Sequence, residues 1–176
     1  MQINKTFVIY WRVIMDIKEL VQTQREFYQT QYTKDVNHRI QTLKSIKTWI
    51  LEHQNRIIDA LKKDLNKDAV ESYMCEIGLV LSELNYQLKH IKKWSKNKYV
   101  WTPLAQFYGT SFESYEPYGV TLVMSPWNYP FMLSVEPAIG AIAAGNTVII
   151  KPSAYAPHVS HVIKQMIDES CNEKYV

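Results

Sequence analysis

Between Glu116 and Ser153 the spacing of apolar residues changes period twice. Gly119–Met124 (GVTLVM) is a short apolar run bounded by Pro117 and Pro126, the pattern of a buried strand. From Phe131 to Ala144 apolar residues recur at Phe131, Leu133, Val135, Ala138, Ile139, Ile142 and Ala143, followed by Gly145-Asn146. Those two residues favour the left-handed conformation that ends helices, so a helix is expected despite Pro137 inside it. Thr147–Ile150 (TVII) is β-branched throughout and reads as a second buried strand. Strand, helix, strand at this spacing is a βαβ unit, with parallel strands and a right-handed crossover.

Upstream the period is helical. Ile17, Leu20, Val21, Gln24, Phe27 and Tyr28 share one helix face, and Val36, Ile40, Leu43, Ile46 and Ile50 continue the pattern. Ile57, Ile58, Leu61 and Leu65 extend it again. Asp68 with Glu71 is a capping-box-like start for a further helix along Val70, Met74, Ile77, Leu81, Leu84, Leu88 and Ile91. That stripe suits either a coiled-coil module or a helix packed inside a globular domain. Trp101–Glu116 reads as a loop followed by extended segments (SFESYE), and His158–Glu169 as a last helix. Tyr175 and Val176 have the character of the first residues of another strand.

The βαβ reading places chemistry before any family is considered. In an open parallel sheet, ligands bind beyond the carboxyl ends of the strands. Those ends lead into Ser125–Pro130 (SPWNYP) and Lys151–Ala156 (KPSAYA), so both loops are expected on one side of the sheet. They present an amide (Asn128), a cation (Lys151) and hydroxyls (Ser125, Ser153). A neutral –NH2 donor suits a carbonyl oxygen that gains negative charge. An ammonium suits a sugar hydroxyl or a phosphate.

Composition adds limits. A chain of 176 residues can form one domain, and 47% hydrophobic with 21% charged residues is ordinary for a water-exposed globule. The net charge of +3 is too small to argue for nucleic acid. Lys89, Lys92, Lys93, Lys96 and Lys98 do surround Trp94, but cations also gather at a helix C-terminus for electrostatic reasons. All 7 prolines and 4 of the 5 glycines lie after Trp101, dividing a long-helix region from an α/β region. Cys75 and Cys171 are far apart and fit a reducing, cytoplasmic setting. Residues 1–14 lack a cleavage site and are too short to span a bilayer, so Met15 is the expected natural start and 1–14 a non-native or disordered extension. His158 and His161 have metal-compatible spacing but no third ligand, so no metal is expected.

The segment EPYGVTLVMSPWNYPFMLSVEPAIGAIAAGNTVIIKPS resembles the first strand–helix–strand of the NAD(P)-dependent aldehyde dehydrogenase family. PWN, AIAAGN and KPS recur in order at family-like spacing, the similarity reaches back to about Asp16, and the short N-terminal arm is most like the class 3-like branch. The resemblance implies Asn128 as the oxyanion-hole amide and Lys151 as the lysine on the adenosine ribose. Ser125, Pro126, Trp127 and Ser153 are expected beside the cofactor, NAD or NADP. An aldehyde substrate and a homodimer of the complete protein are implied, with residues 101–117 leading to the intersubunit sheet.

The implied fold class is α/β: N-terminal long helices (15–100), then the first βαβ units of an open parallel Rossmann-like sheet (118–176). Two departures accompany the resemblance. Ala154 stands where most of the family has a glutamate that accepts from ribose hydroxyls, which weakens the expected preference for NAD over NADP. The family's Gly-rich turn, general-base glutamate and nucleophilic cysteine have no counterpart among these 176 residues. An incomplete, inactive N-terminal portion is therefore expected, and a non-catalytic helical or strand-edge interaction module is the alternative.

Overall fold

The computed structural model describes residues 17–172 and 175–176; the expected extension 1–14 and the start at Met15 lie outside them. Helix α1 (Ile17–Gln29) forms as its periodicity predicts, although Ile17 is exposed and Gln24 is its buried residue. The expected continuation into the next apolar stripe is wrong. Gln31 takes a left-handed conformation (φ 64°) before a 3-10 turn, Tyr32–Lys34, and α2 (Val36–Glu52) starts afresh with Asp35 accepting from the Asn37 N–H. A second break at His53 separates α3 (Gln54–Leu65), which closes on Asn66 at φ 56°.

Asp68 caps α4 (Ala69–Ser72) through the Glu71 N–H, at 2.8 Å. The chain then makes a π-turn, Tyr73–Ile77, before α5 (Gly78–Trp94). A π-turn inserts one residue into the helical ladder and rotates the turns before it relative to those after it. This explains why the apolar stripe holds only in part. Ile77, Leu81, Leu84 and Ile91 are buried, whereas Val70 and Met74 are 67% and 66% exposed, and Ser72 and Glu76 face inward in their place. Gly78 permits the turn: its N–H bonds the Tyr73 carbonyl, and a Cβ would lie 2.9 Å from that oxygen. The stripe is a packed helix rather than a coiled-coil seam, with α5 lying against α2 and α6.

Strands β1 (Lys98–Val100) and β2 (Ser111–Glu113) form an antiparallel hairpin, of which the sequence pattern marks only the second half. Strand β3 (Val120–Met124), helix α6 (Met132–Ala144) and strand β4 (Thr147–Lys151) then give the expected parallel βαβ unit. The register pairs Val120 with Thr147 and Met124 with Lys151. One expectation fails here: β3 is not buried throughout. Only Val123 is enclosed, while Leu122 and Met124 are 59% and 69% exposed. On the far side of β4 the Val148 N–H donates to the Tyr175 carbonyl at 3.0 Å, the place a next parallel strand would occupy. Helix α7 (Pro157–Ser170) packs on α2 and α3. Residues of α2, α3, α5, α6, α7 and the two parallel strands share a single core.

Candidate functional site

The site is built at the carboxyl ends of β3 and β4. Their last paired residues are Met124 and Lys151, and the Ser125 N–H continues the ladder to the Lys151 carbonyl at 3.3 Å. The two expected loops therefore leave the sheet from one rim. Asn128 and Lys151 are both exposed there. Neither the Asn128 side-chain amide nor the Lys151 ammonium has a hydrogen-bond or ion-pair partner among the described residues, so their donors are available to a bound molecule. Pro126 and Trp127 are exposed beside them, Trp127 at 55%.

The two serines behave differently. Ser125 is buried, its hydroxyl 2.5 Å from that of Ser134, and the Ser134 hydroxyl donates to the Pro130 carbonyl at 2.6 Å. Since Ser134 has one proton to give, Ser125 donates to Ser134. Its hydroxyl thus locks the loop onto α6 instead of facing the rim. Ser153 is also buried, and its oxygen accepts from the Tyr155 N–H at 3.2 Å, leaving its own proton free.

Sequence reasoning missed the pair beneath the first loop. Lys67 is 7% exposed and Glu76 fully buried, with Lys67 Nζ 2.5 Å from Glu76 Oε1. The same ammonium donates to the Asn128 carbonyl at 3.0 Å and sits 4.0 Å above the centre of the Tyr129 ring. The other oxygen of Glu76 accepts from the N–H groups of Phe131 (2.9 Å) and Met132 (3.1 Å), satisfying donors that open α6. Breaking such a buried pair by removing one member typically costs about 3–5 kcal/mol. One signal was present in the sequence: Glu76 lies four and eight residues before Val80 and Leu84, a carboxylate on an otherwise apolar stripe. Tyr129, 36% exposed, carries the Lys67 ammonium on its ring face.

The other titratable candidates are placed elsewhere. His158 Nδ1 lies 2.6 Å from Asp64 Oδ1, so this histidine is engaged by a carboxylate of α3. Cys171 packs against the core, and burial pushes its thiol up to about 12, the opposite of what a nucleophile needs. Two hollows, one lined by Arg25, Tyr28 and Tyr118 and one by Lys44, Trp49 and Glu169, include neither Asn128 nor Lys151.

A parallel βαβ unit with free donors on the rim beyond its strands defines a Rossmann-like α/β protein. Residues 14–174 match the model of the aldehyde dehydrogenase family, and the chain belongs to that family. It is 45% identical over 152 residues to the 4,4'-diaponeurosporen-aldehyde dehydrogenase of Staphylococcus aureus, covering 86% of this chain and 33% of that one. The mouse aldehyde dehydrogenase family 3 member B3 is 36% identical over 158 residues, with 88% of this chain and 33% of that protein covered. Among solved structures, the substrate-bound Staphylococcus aureus AldH superposes with a TM-score of 0.88 at 43% identity, covering 92% of this chain and 35% of that one. The glyceraldehyde-3-phosphate dehydrogenase GapN of Methanocaldococcus jannaschii, solved with NADP, shares the fold at a TM-score of 0.78 and 20% identity, with 90% of this chain and 34% of that one covered. The chain spans about a third of the length of these relatives.

Proposed function

We propose that this chain is the N-terminal part of an aldehyde dehydrogenase that oxidises an aldehyde to a carboxylic acid with NAD or NADP. In this reading Asn128 donates from its side-chain amide to the aldehyde oxygen as that oxygen gains charge. Lys151 donates to the adenosine ribose, Ser153 offers a further proton, and Pro126 and Trp127 form the wall between them. The dinucleotide supplies the hydride acceptor when bound. The observation that carries the reading is the Met124–Lys151 register, which sets two free donors, an amide and an ammonium, on one rim. A neutral amide beside a cation suits a ligand with a polarised carbonyl at one end and a sugar or phosphate at the other.

The finer expectations travel with it. A homodimer would use the β1–β2 hairpin, whose Tyr99, Trp101 and Phe112 are 71%, 79% and 51% exposed. A cytoplasmic setting agrees with Cys75 and Cys171 both being free thiols. Nucleic acid is not a partner in this reading, since the lysines around Trp94 end a helix and complement its dipole. Among the described residues no helix is long and apolar enough to cross a membrane.

The test joins this chain in frame to the C-terminal two-thirds of the Staphylococcus aureus dehydrogenase. The 176 residues alone are expected to give no aldehyde-dependent NAD(P)H, and the joined protein to give it. Asn128→Ala should then lower kcat by about 10²–10³, while Lys151→Ala should chiefly raise KM for the dinucleotide. Full activity of the Asn128→Ala form, or turnover by the chain alone, would overturn the proposal. The exposed Leu122 and Met124 favour a second reading, a non-catalytic interaction module. Stable self-assembly without dinucleotide, together with no dinucleotide binding, would support it.

A further inference from the structure

We propose that Lys67 and Glu76 are positioning residues that set the backbone of the Asn128 turn; this deepens, and rests on, the reading of Asn128 as an oxyanion donor. Two side chains fix three main-chain groups within five residues. The ammonium holds the Asn128 carbonyl at 3.0 Å and closes over the Tyr129 ring at 4.0 Å. The carboxylate holds the Phe131 and Met132 N–H groups at 2.9 and 3.1 Å. Each charged group thus spends one contact on its partner and the rest on the turn.

Stability alone does not explain the arrangement. A buried ion pair is often matched or bettered by apolar residues of the same volume. Here an apolar pair would leave the Asn128 carbonyl and two N–H groups of α6 without their partners. The backbone around Glu76 has also been adapted to aim it. Glu76 lies in the π-turn, which brings it and Ser72 inward while Val70 and Met74 turn out, and such turns recur at functional sites. The Asn128 turn presents an amide that itself makes no bond to the described residues. Its direction is consequently set through its own main chain, and the main chain is set by Lys67.

The test is amide hydrogen exchange, resolved by residue, on the full 176-residue chain. Lys67→Met should raise exchange at Leu133, whose N–H donates to the Tyr129 carbonyl at 3.0 Å, and Glu76→Met should raise it at Phe131 and Met132, each by tenfold or more. Exchange at Ile46 and Leu84 in the core should rise only by the factor that the global loss of stability, measured by urea unfolding of each variant, accounts for, while the turn amides open locally without denaturant. The exchanged pair Lys67→Glu with Glu76→Lys separates positioning from mere charge pairing. It restores an ion pair but sets an ammonium against N–H donors and a carboxylate against a carbonyl, so the turn should remain unprotected. Recovery of protection in that form would overturn the proposal. So would parental exchange at the turn in both single variants, or turn and core amides rising together as in global loosening. These readouts do not depend on aldehyde chemistry. If the turn responds as expected while Asn128→Ala leaves kcat of the joined protein unchanged, it is the oxyanion reading that falls.

Discussion

The Arg39 guanidinium occupies the space that a β-carbon on Gly145 would need. A Cβ built there meets the guanidinium carbon at 2.7 Å, and Gly145 is at φ 93°, a conformation L side chains rarely adopt. Arg39 is buried and donates to three carbonyls, those of Thr33, Lys34 (2.9 Å) and Ala143 (3.3 Å). It ties the start of α2 to the C-terminal turn of α6, where unpaired carbonyls favour a cation. Gly145→Ala therefore combines backbone strain of about 1–3 kcal/mol with displacement of a buried side chain that makes three hydrogen bonds. Urea unfolding followed by circular dichroism should show a loss of at least about 2 kcal/mol, and a loss within about 0.5 kcal/mol would refute this account.

Asp64 fastens the start of α7 from a different helix. Its two oxygens take the His158 ring nitrogen at 2.6 Å and the Val159 N–H at 2.8 Å, although its side chain is only 2% exposed. This is an N-cap supplied across the core. Asp64→Ala should cost about 1–2 kcal/mol as a lost cap does, lowering the midpoint of thermal unfolding by roughly 2–8 °C in a chain of this size. Removing only the imidazole, with His158→Ala, should cost less, because the Val159 contact survives. Equal losses in the two variants would argue that the histidine, not the cap, matters.

Much of the fold was legible because its signals are local. β-Branched residues, the Gly145-Asn146 stop and the Asp68 cap each act within a few residues, and each element they mark is present. The parallel register then put Asn128 and Lys151 on one rim without further information. What escaped depended on geometry that no period encodes. The helix break at Gln31 needs a left-handed residue that is not glycine, and the π-turn shifts a stripe by one residue without altering its composition. The hairpin partner Lys98–Val100 is exposed along its whole length, so it carries no apolar alternation. Lys67 and Glu76 were invisible as a pair because charged residues nine apart ordinarily face water, and the π-turn that carries Glu76 inward leaves no mark on composition.

Alkaline pH should destabilise the chain. Burial raises the Cys171 thiol from 9.0 to about 12 and raises the Tyr175 phenol as well. In the unfolded chain both groups lose their protons first, while the native state keeps them. The stability this confers is complete below about pH 9 and declines as pH climbs toward 12, by about 1.4 kcal/mol per pH unit for each proton involved. The unfolding midpoint should hold between about pH 7 and 8.5 and fall beyond, and Cys171→Ala should flatten the fall. Identical slopes for parent and variant would refute the thiol's part. Iodoacetamide at about pH 8 should also modify native Cys171 some ~10³ times more slowly than the urea-unfolded chain, in keeping with its thiolate fraction.

Ala154 is exposed three residues beyond Lys151, in the loop that leaves β4. In the proposed site, Lys151 lies against the adenosine ribose, so this position lies beside the 2′-hydroxyl or the 2′-phosphate that distinguishes the two dinucleotides. A carboxylate there would accept from the hydroxyl and repel the phosphate; a methyl group does neither. Ala154→Glu should therefore strengthen NAD and weaken NADP. Charged hydrogen bonds are worth about 1.5–3 kcal/mol when sheltered, and solvent at this exposed position reduces that, so a shift of roughly three- to tenfold in the ratio of the two dissociation constants is expected. Raising the salt concentration should shrink the NADP part of the effect and leave the NAD part nearly unchanged, since repulsion between full charges is screened more than a short hydrogen bond. Titration of both dinucleotides against parent and variant decides the matter. An unchanged ratio would place the ribose away from this loop and with it remove Lys151 from the adenosine site.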